Sequence, residues 1–145
     1  MCLGALYSRW SPPSGDTIKI NFDASFIVQL YLSFSGVVAR NAKGLIMAAG
    51  IIPHHFVANP ELAEVYACVD ALNLARDMEF LSVIIEGMLL SSLTRSIVCQ
   101  SCNAVAHLLA HDGTDSSGPR FLIEEAPPII EQAALQDIWW VNSPI

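Results

Sequence analysis

The stretch that decides the fold is Thr17-Ile-Lys-Ile-Asn-Phe-Asp-Ala24. Apolar and polar side chains alternate along it with a period of two, which predicts a half-buried strand with Asp23 on its polar face. Gly36–Arg40 and Leu45–Ile52 are two further strand-like runs, and the turn sequence Asn41-Ala-Lys-Gly44 separates them. These three segments predict an antiparallel meander.

A helix is predicted after the meander. Asn59-Pro60-Glu61 places an N-cap residue, a helix-starting proline and an acidic first turn in succession, and the helix should run to about Met78. Glu64 lies on a stripe of small residues, which permit close approach to a sheet. Larger apolar residues at helical spacing predict a neighbouring, broad buried stripe: Leu62, Val65, Val69 and Leu72.

The second half of the chain continues the alternation of strand and helix. Leu81–Ile85, followed by Glu86-Gly87, is typical of a central strand that is buried on both faces. Asn103–His111 predicts a further helix, which ends before Gly113. Three strands, a helix, a strand and more helices predict an α/β or α+β domain with a mixed sheet. In such sheets, ligands bind at the carboxyl ends of the central strands.

Composition limits the chain to one globular domain. Its 145 residues are 53% hydrophobic and 14% charged, which excludes a disordered chain. The uncharged stretch 25–39 is shorter than the roughly 20 apolar residues that cross a bilayer, and we interpret it as sheet. The first ten residues lack the pattern of a signal peptide. We therefore expect an intracellular chain without a membrane segment, with reduced thiols at its four cysteines.

The net charge of −7 argues against a strongly electrostatic nucleic-acid binder. Phosphate binding draws on clustered Lys and Arg side chains, and the seven basic residues of this chain are scattered along it. A nuclease that gathers carboxylates around metal ions can still be acidic. Charge therefore disfavours a simple basic binding module, but it leaves a metal-dependent enzyme open.

Five pieces of the chain, in order and at plausible spacing, carry a family resemblance: Trp10–Pro13 with Ile18–Ser25, Gly36–Gly44, Glu61–Ala67, Val83–Gly87, and Asn103–Ala110. Together they resemble the plant-type ribonuclease H-like domain (RNase H type 1) that accompanies the reverse transcriptases of non-LTR retroelements. The resemblance implies an α/β fold with packed helices, whose mixed sheet joins an antiparallel three-strand meander to a parallel strand. It also implies nucleic-acid binding and metal-dependent endonucleolytic cleavage of the RNA strand in RNA–DNA hybrids.

The resemblance also assigns site residues. Two divalent ions, Mg²⁺ or Mn²⁺, activate water and stabilise the leaving oxygen, so several carboxylates must converge. Asp23 and Glu64 match the first two, as catalytic residues and metal ligands. Met88 stands where a third carboxylate, an Asp, is expected, and a thioether is a poor ligand for Mg²⁺. His107 matches the fourth catalytic position, and Glu86 is a candidate substitute for the lost Asp.

The region after the predicted fourth strand is shorter than in the family. Relatives carry further helical sequence and a fifth strand before the last helix, whereas this chain offers only Met88–Cys102, in which Leu89–Arg95 favours a short helix. We predict that the fifth strand beside the fourth is missing, which exposes a sheet edge next to the site. The domain organisation is then an extended segment over 1–15, an internally truncated domain over 16–112, and a linker and acidic tail over 113–145.

The missing aspartate and the missing strand indicate that the family activity is impaired or lost. Three alternatives stay open: an active hydrolase that uses the remaining site residues, a non-catalytic module that binds RNA–DNA hybrid or another nucleic acid, and a decayed retroelement fragment. A zinc-dependent interaction module is a fourth, because Cys99-x-x-Cys102 with His107 and His111 supplies zinc-type ligands. The sequence does not indicate protein partners, compartment or oligomeric state.

Overall fold

The computed structural model describes residues 10–87, 103–112, 118–124 and 126–142. The described residues form one five-stranded sheet in the order β4-β1-β2-β3-β5, in which β1 and β4 are parallel and the other neighbours antiparallel. This is an α/β fold with a mixed sheet, as predicted. In chain order its elements are β1 (Ile18–Ile27), a 3₁₀ helix (Val28–Leu30), β2 (Leu32–Arg40), β3 (Ile46–His54), α1 (Pro60–Asp77), β4 (Val83–Gly87), α2 (Ala104–Asp112), β5 (Arg120–Ile123) and α3 (Pro128–Asn142).

The predicted meander is confirmed, and its strands are longer than the sequence indicated. β1 and β2 pair from Lys19↔Arg40 to Ile27↔Leu32, and the short 3₁₀ helix joins them. The chain reverses at Tyr31, whose φ of 49° lies in the left-handed region. The uncharged stretch 25–39 therefore lies in the sheet. No helix among the described residues is long and apolar enough to cross a membrane.

Alternation along β1 creates two cores, one on each face of the sheet. Ile18, Ile20 and Phe22 point towards α1. The opposite face of the sheet packs against α2 and α3 through a second group of buried side chains: Phe34, Val38, Ala49, Ile51, Val105, Leu109 and Ile130. The polar side chains of β1 lie on this second face, so the alternation that builds the cores also directs Asp23 towards α2.

The predicted buried stripe of α1 is wrong. Val65, Val69 and Leu72 are 46%, 45% and 52% exposed. The helix instead turns the neighbouring stripe of small residues to the sheet, together with Glu64. Small side chains let the helix axis approach β1 and β2 closely, and packing at that distance outweighs the larger apolar area of the other stripe. The buried residues of α1 are Ala63, Glu64, Ala67, Ala71, Leu74 and Ala75.

Gly36 lets α2 lie against the sheet. A Cβ atom at this position would overlap the backbone of Ala106 and Ala110 and approach the Leu109 Cβ to 2.9 Å. Two hydrogen bonds fix the helix there: Asn103 Nδ2 donates to the Phe22 carbonyl over 2.8 Å, and Ser25 Oγ donates to the Ala110 carbonyl over 3.0 Å. Asn103 and Ser25 thus hold α2 over the middle of β1.

The segment predicted as linker and acidic tail is partly structured. β5 pairs antiparallel with β3, from Ala48↔Ile123 to Ile51↔Arg120, and α3 buries Ile130 and Ala134 against the second core. The sequence around β5 is polar and did not indicate this four-residue edge strand, which pairs with β3. This fifth strand lies at the far edge of the sheet, and within the described residues no strand pairs with the outer edge of β4.

A buried ion pair ties α3 to the sheet. Arg40 is fully buried, its Nη1 lies 2.7 Å from Asp137 Oδ2, and its guanidinium stacks 4.0 Å from the ring centroid of Trp10. Burial lowers the pKa of Arg40, and the hydrogen bond and charge of Asp137 oppose that shift. This pair explains why the tail is not detached from the domain.

Several predictions fall outside the described residues. They concern Met88, the short helix over 89–95, and Cys99 with Cys102. The domain boundaries at 15 and 112 also stay predictions. Among the described residues Cys68 is a free, half-buried thiol, and burial raises its pKa.

Candidate functional site

Asp23 lies on β1, one residue beyond the last pair of the β1–β4 ladder. It pairs with Gly36 on the neighbouring strand, and its side chain is only 8% exposed beneath α2. Its carboxylate Oδ1 accepts a hydrogen bond from the Ala24 backbone N–H over 2.9 Å. The period-two pattern predicted Asp23 on the polar face of a half-buried strand; Asp23 does lie on the polar face, but both faces of β1 are buried at this point because α2 covers the polar one.

His107 meets Asp23 from α2. Its Nδ1 lies 2.8 Å from Asp23 Oδ2, and its side chain is 37% exposed. The contact depends on how α2 is docked, because Asn103 and Ser25 fix the helix to β1 on either side of it. The two residues are 84 positions apart in the chain, and the structure brings them together as the resemblance implied.

Glu64 approaches Asp23 from α1 and is only 6% exposed. Its pKa is raised to about 8 from 4.5, first because burial disfavours the charged carboxylate. The negative charge of Asp23 and a hydrogen bond between the two carboxyl groups raise this pKa further, while a hydrogen bond from the Ala24 backbone lowers it. Glu64 Oε2 is buried without a hydrogen-bond partner. At neutral pH Glu64 therefore keeps its proton.

Glu86 shares the face of Asp23 but has different neighbours. It pairs with Asn21 in the parallel β1–β4 ladder, its Oε1 lies 3.0 Å from Lys19 Nζ, and its Oε2 accepts from Asn21 Nδ2 over 3.4 Å. Trp10 Nε1 in turn donates to Asn21 Oδ1 over 3.2 Å. Glu86 is thus held in a polar group that joins the N-terminal segment to β1, beside the Asp23 site.

His111 adds a second imidazole one turn after His107 on α2. The two ring centroids lie 4.2 Å apart, with ring planes inclined by 57°, and the His111 side chain is exposed. Sequence analysis singled out His111 only as part of the zinc alternative. The spacing of four residues along a helix was the available signal, because it places both side chains on one face.

One further pair lies away from this site and was missed by sequence analysis. His54 Nε2, at the end of β3, lies 2.6 Å from Asp70 Oδ2 on α1, and the His54 ring stacks on Tyr66 with centroids 4.9 Å apart. The pair ties the middle of α1 to the end of β3. No local pattern predicts it, because the partners come from separate elements.

The donor set of the described residues is a poor match for a pair of hard divalent ions. Mg²⁺ binds oxygen atoms, and among the described residues the site offers two carboxyl groups, those of Asp23 and Glu64, beside the imidazole of His107. Within residues 10–87, 103–112, 118–124 and 126–142, no group of three or more His, Cys, Asp or Glu side chains is placed to hold a metal ion. The assignment of Asp23 and Glu64 as metal ligands stays a prediction.

Comparison with known proteins identifies the central part of the chain. Residues 21–91 match a family described as reverse transcriptase-like. The matched stretch runs from β1 through β4, so it includes Asp23 and Glu64, while α2 with His107 lies beyond it. No curated protein and no solved structure matches the chain.

Proposed function

We propose that this chain is a ribonuclease H-like domain with impaired catalysis, from the premise that residues 21–91 match the reverse transcriptase-like family, a family of ribonuclease H-like domains. The ancestral activity is metal-dependent endonucleolytic cleavage of RNA in RNA–DNA hybrids. In this chain that activity is strongly reduced or lost, while the fold that presents the site is kept.

The observation that carries the proposal is the engagement of both Asp23 oxygens inside the protein. One oxygen accepts from the Ala24 backbone and the other lies against His107 Nδ1. Glu64, the second carboxyl group, is buried beside Asp23. Two divalent ions need several anionic oxygen ligands to offset their charge, and the described residues supply little free anionic oxygen at this place.

The sequence at the end of β4 supports the same conclusion. Met88 occupies the position at which the family resemblance expects the third carboxylate, and its thioether cannot replace a hard oxygen ligand. Glu86 is the nearest carboxylate in sequence, and its contacts with Lys19 and Asn21 engage it elsewhere. To act as the substitute ligand, Glu86 would have to leave its ion pair with Lys19, in which Nζ and Oε1 lie 3.0 Å apart.

Hydrolysis of a labelled RNA–DNA hybrid tests the proposal. We expect that the folded protein, with Mg²⁺ and then with Mn²⁺, releases no more product than its Asp23→Asn variant. Met88→Asp restores the missing carboxylate and is expected to gain cleavage that a second Asp23→Asn change removes. Efficient cleavage by the unmodified chain that is lost in Asp23→Asn would refute impaired catalysis.

A non-catalytic nucleic-acid-binding module is the alternative, and the ion pairs of the structure weigh against it. Lys19 is paired with Glu86, Arg40 with Asp137 and Arg76 with Asp77. Cations that are already paired release fewer counterions from a phosphate backbone, so their contribution to affinity is small. Tight, salt-dependent binding of the uncleaved hybrid in an anisotropy titration would favour the binding module instead.

A further inference from the structure

The two histidines of α2, His107 and His111, form a pair. Cleavage of an RNA–DNA hybrid does not use the two imidazoles together. His107 and His111 lie one turn apart on the same helix, with ring centroids 4.2 Å apart. A bound ion with Zn–N bonds of about 2.0–2.1 Å needs two nitrogen atoms roughly 3.4 Å apart in tetrahedral geometry. The observed separation of the ring centroids places the two imidazoles close enough to share one such ion.

Asp23 supplies the second element of a metal site. Its Oδ2 lies 2.8 Å from His107 Nδ1, which fixes the orientation of that ring and leaves Nε2 on the far side of the imidazole. Metal-binding histidines commonly donate their other ring N–H to a carboxylate, which sets the tautomer and raises the basicity of the ligand nitrogen. The His107 side chain is 37% exposed, so an ion can reach it from solvent.

We propose that His107 and His111 form a two-imidazole site for a borderline transition-metal ion such as Zn²⁺ or Co²⁺, in which Asp23 orients His107. Nitrogen ligands favour these ions over Mg²⁺. Water molecules complete the coordination, because the described residues place no third His, Cys, Asp or Glu side chain in a ligand group with these two. The proposal is independent of hybrid cleavage, since it concerns ion binding to residues whose geometry is the same in an active or inactive domain.

The test uses untagged full chain, titrated with Co²⁺ and followed by visible absorption. One Co²⁺ per chain should bind with the d–d bands of nitrogen and oxygen ligands and without the near-ultraviolet charge-transfer band of a cobalt–thiolate bond. Zn²⁺ should displace it. His111→Ala should weaken binding at least ten-fold, whereas His55→Ala, which removes another exposed histidine, should bind as the unmodified chain does.

Two further variants separate the proposed site from its rivals. Asp23→Asn should weaken Co²⁺ binding by about ten-fold or more, as expected when the carboxylate that orients a metal-binding histidine is lost. Replacing Cys99 and Cys102 together with Ser should leave the affinity unchanged. Far-ultraviolet circular dichroism and the thermal midpoint check that each variant is folded. Unchanged affinity in His111→Ala, or binding that is lost with the cysteines and kept in His111→Ala, would overturn the proposal.

Discussion

Replacing Glu64 with Gln should change how the stability of the domain depends on pH. The pKa of Glu64 is about 8 in the folded protein and 4.5 for the unperturbed group, because burial and the charge of Asp23 disfavour its ionised form. Between these values the folded state holds a proton that the unfolded state has released. The free energy of unfolding therefore falls as pH rises, by at most about 1.4 kcal/mol per pH unit for one proton.

The largest possible loss of unfolding free energy follows from how far the pKa of Glu64 is raised. Moving from 4.5 to about 8 covers roughly 3.5 pKa units, which sets a ceiling of about 5 kcal/mol. The stability that protonated Glu64 contributes is fully present below the pKa of the unfolded state, 4.5, and is lost as pH rises through the pKa of the folded state, about 8. A whole domain is stable by only about 5–15 kcal/mol, so a loss near this ceiling would remove a large share of the stability in mildly alkaline solution.

Urea unfolding from about pH 5 to about pH 9 measures the effect. The protein should lose stability across this range, and Glu64→Gln, which keeps a neutral side chain of similar shape, should lose much less. The variant should be the more stable protein above the folded pKa of about 8. EDTA is included, because a bound cation would hold the carboxylate ionised. Histidine titrations contribute to both curves, so the difference between the curves isolates Glu64.

Glu61→Gln is the matched control, since Glu61 is an exposed carboxylate on the first turn of the same helix. Its stability should follow that of the unmodified protein at every pH. Parallel curves for the unmodified protein and Glu64→Gln would show that Glu64 titrates normally in the folded state. The inference that Glu64 keeps its proton at neutral pH would then be wrong.

Three other predictions concern packing and reactivity. Gly36→Ala should destabilise the domain by about 3 kcal/mol or more, because its Cβ would overlap the backbone of α2, whereas Gly118→Ala, with open space at its Cβ, should change thermal unfolding little. Asp137→Asn should lower the free energy of unfolding by about 3–5 kcal/mol in chemical denaturation, because it leaves the buried guanidinium of Arg40 without its counter-charge. Asp77→Asn, which breaks the exposed pair with Arg76, should lower it by less than about 1 kcal/mol. Alkylation of Cys68, followed by peptide mass spectrometry, should be slow in the native protein and become fast in denaturant, because burial raises the pKa of its thiol.

Local patterns predicted the elements that carry their own signal. Alternation over Thr17–Ala24 located β1 and the face of Asp23, and the N-cap sequence located the start of α1. Asn59 Oδ1 accepts from the Leu62 backbone N–H over 2.8 Å, as an N-cap should. Both signals are local because a strand's alternation and a helix cap involve residues a few positions apart.

Features that depend on distant residues were missed or misassigned. The pair of Arg40 and Asp137 joins positions 97 apart, and neither residue has a neighbour in sequence that indicates the other. The stripe of α1 was misassigned because hydrophobicity alone favours Val65 and Leu72, while the sheet selects the side that can approach most closely. β5 was missed because four residues at an edge carry too little pattern to stand out from a polar loop.

The contact between Asp23 and His107 has a structural role besides the catalytic role that the family resemblance implies. It lies between the hydrogen bonds of Asn103 and Ser25, so it belongs to the row of contacts that docks α2 on β1. Losing it would disturb the second core whether or not the domain cleaves anything. Retention of these two residues is therefore weak support for activity. For catalysis, the identity of Met88, at the position where the family resemblance expects an aspartate, therefore weighs more than the intact pair.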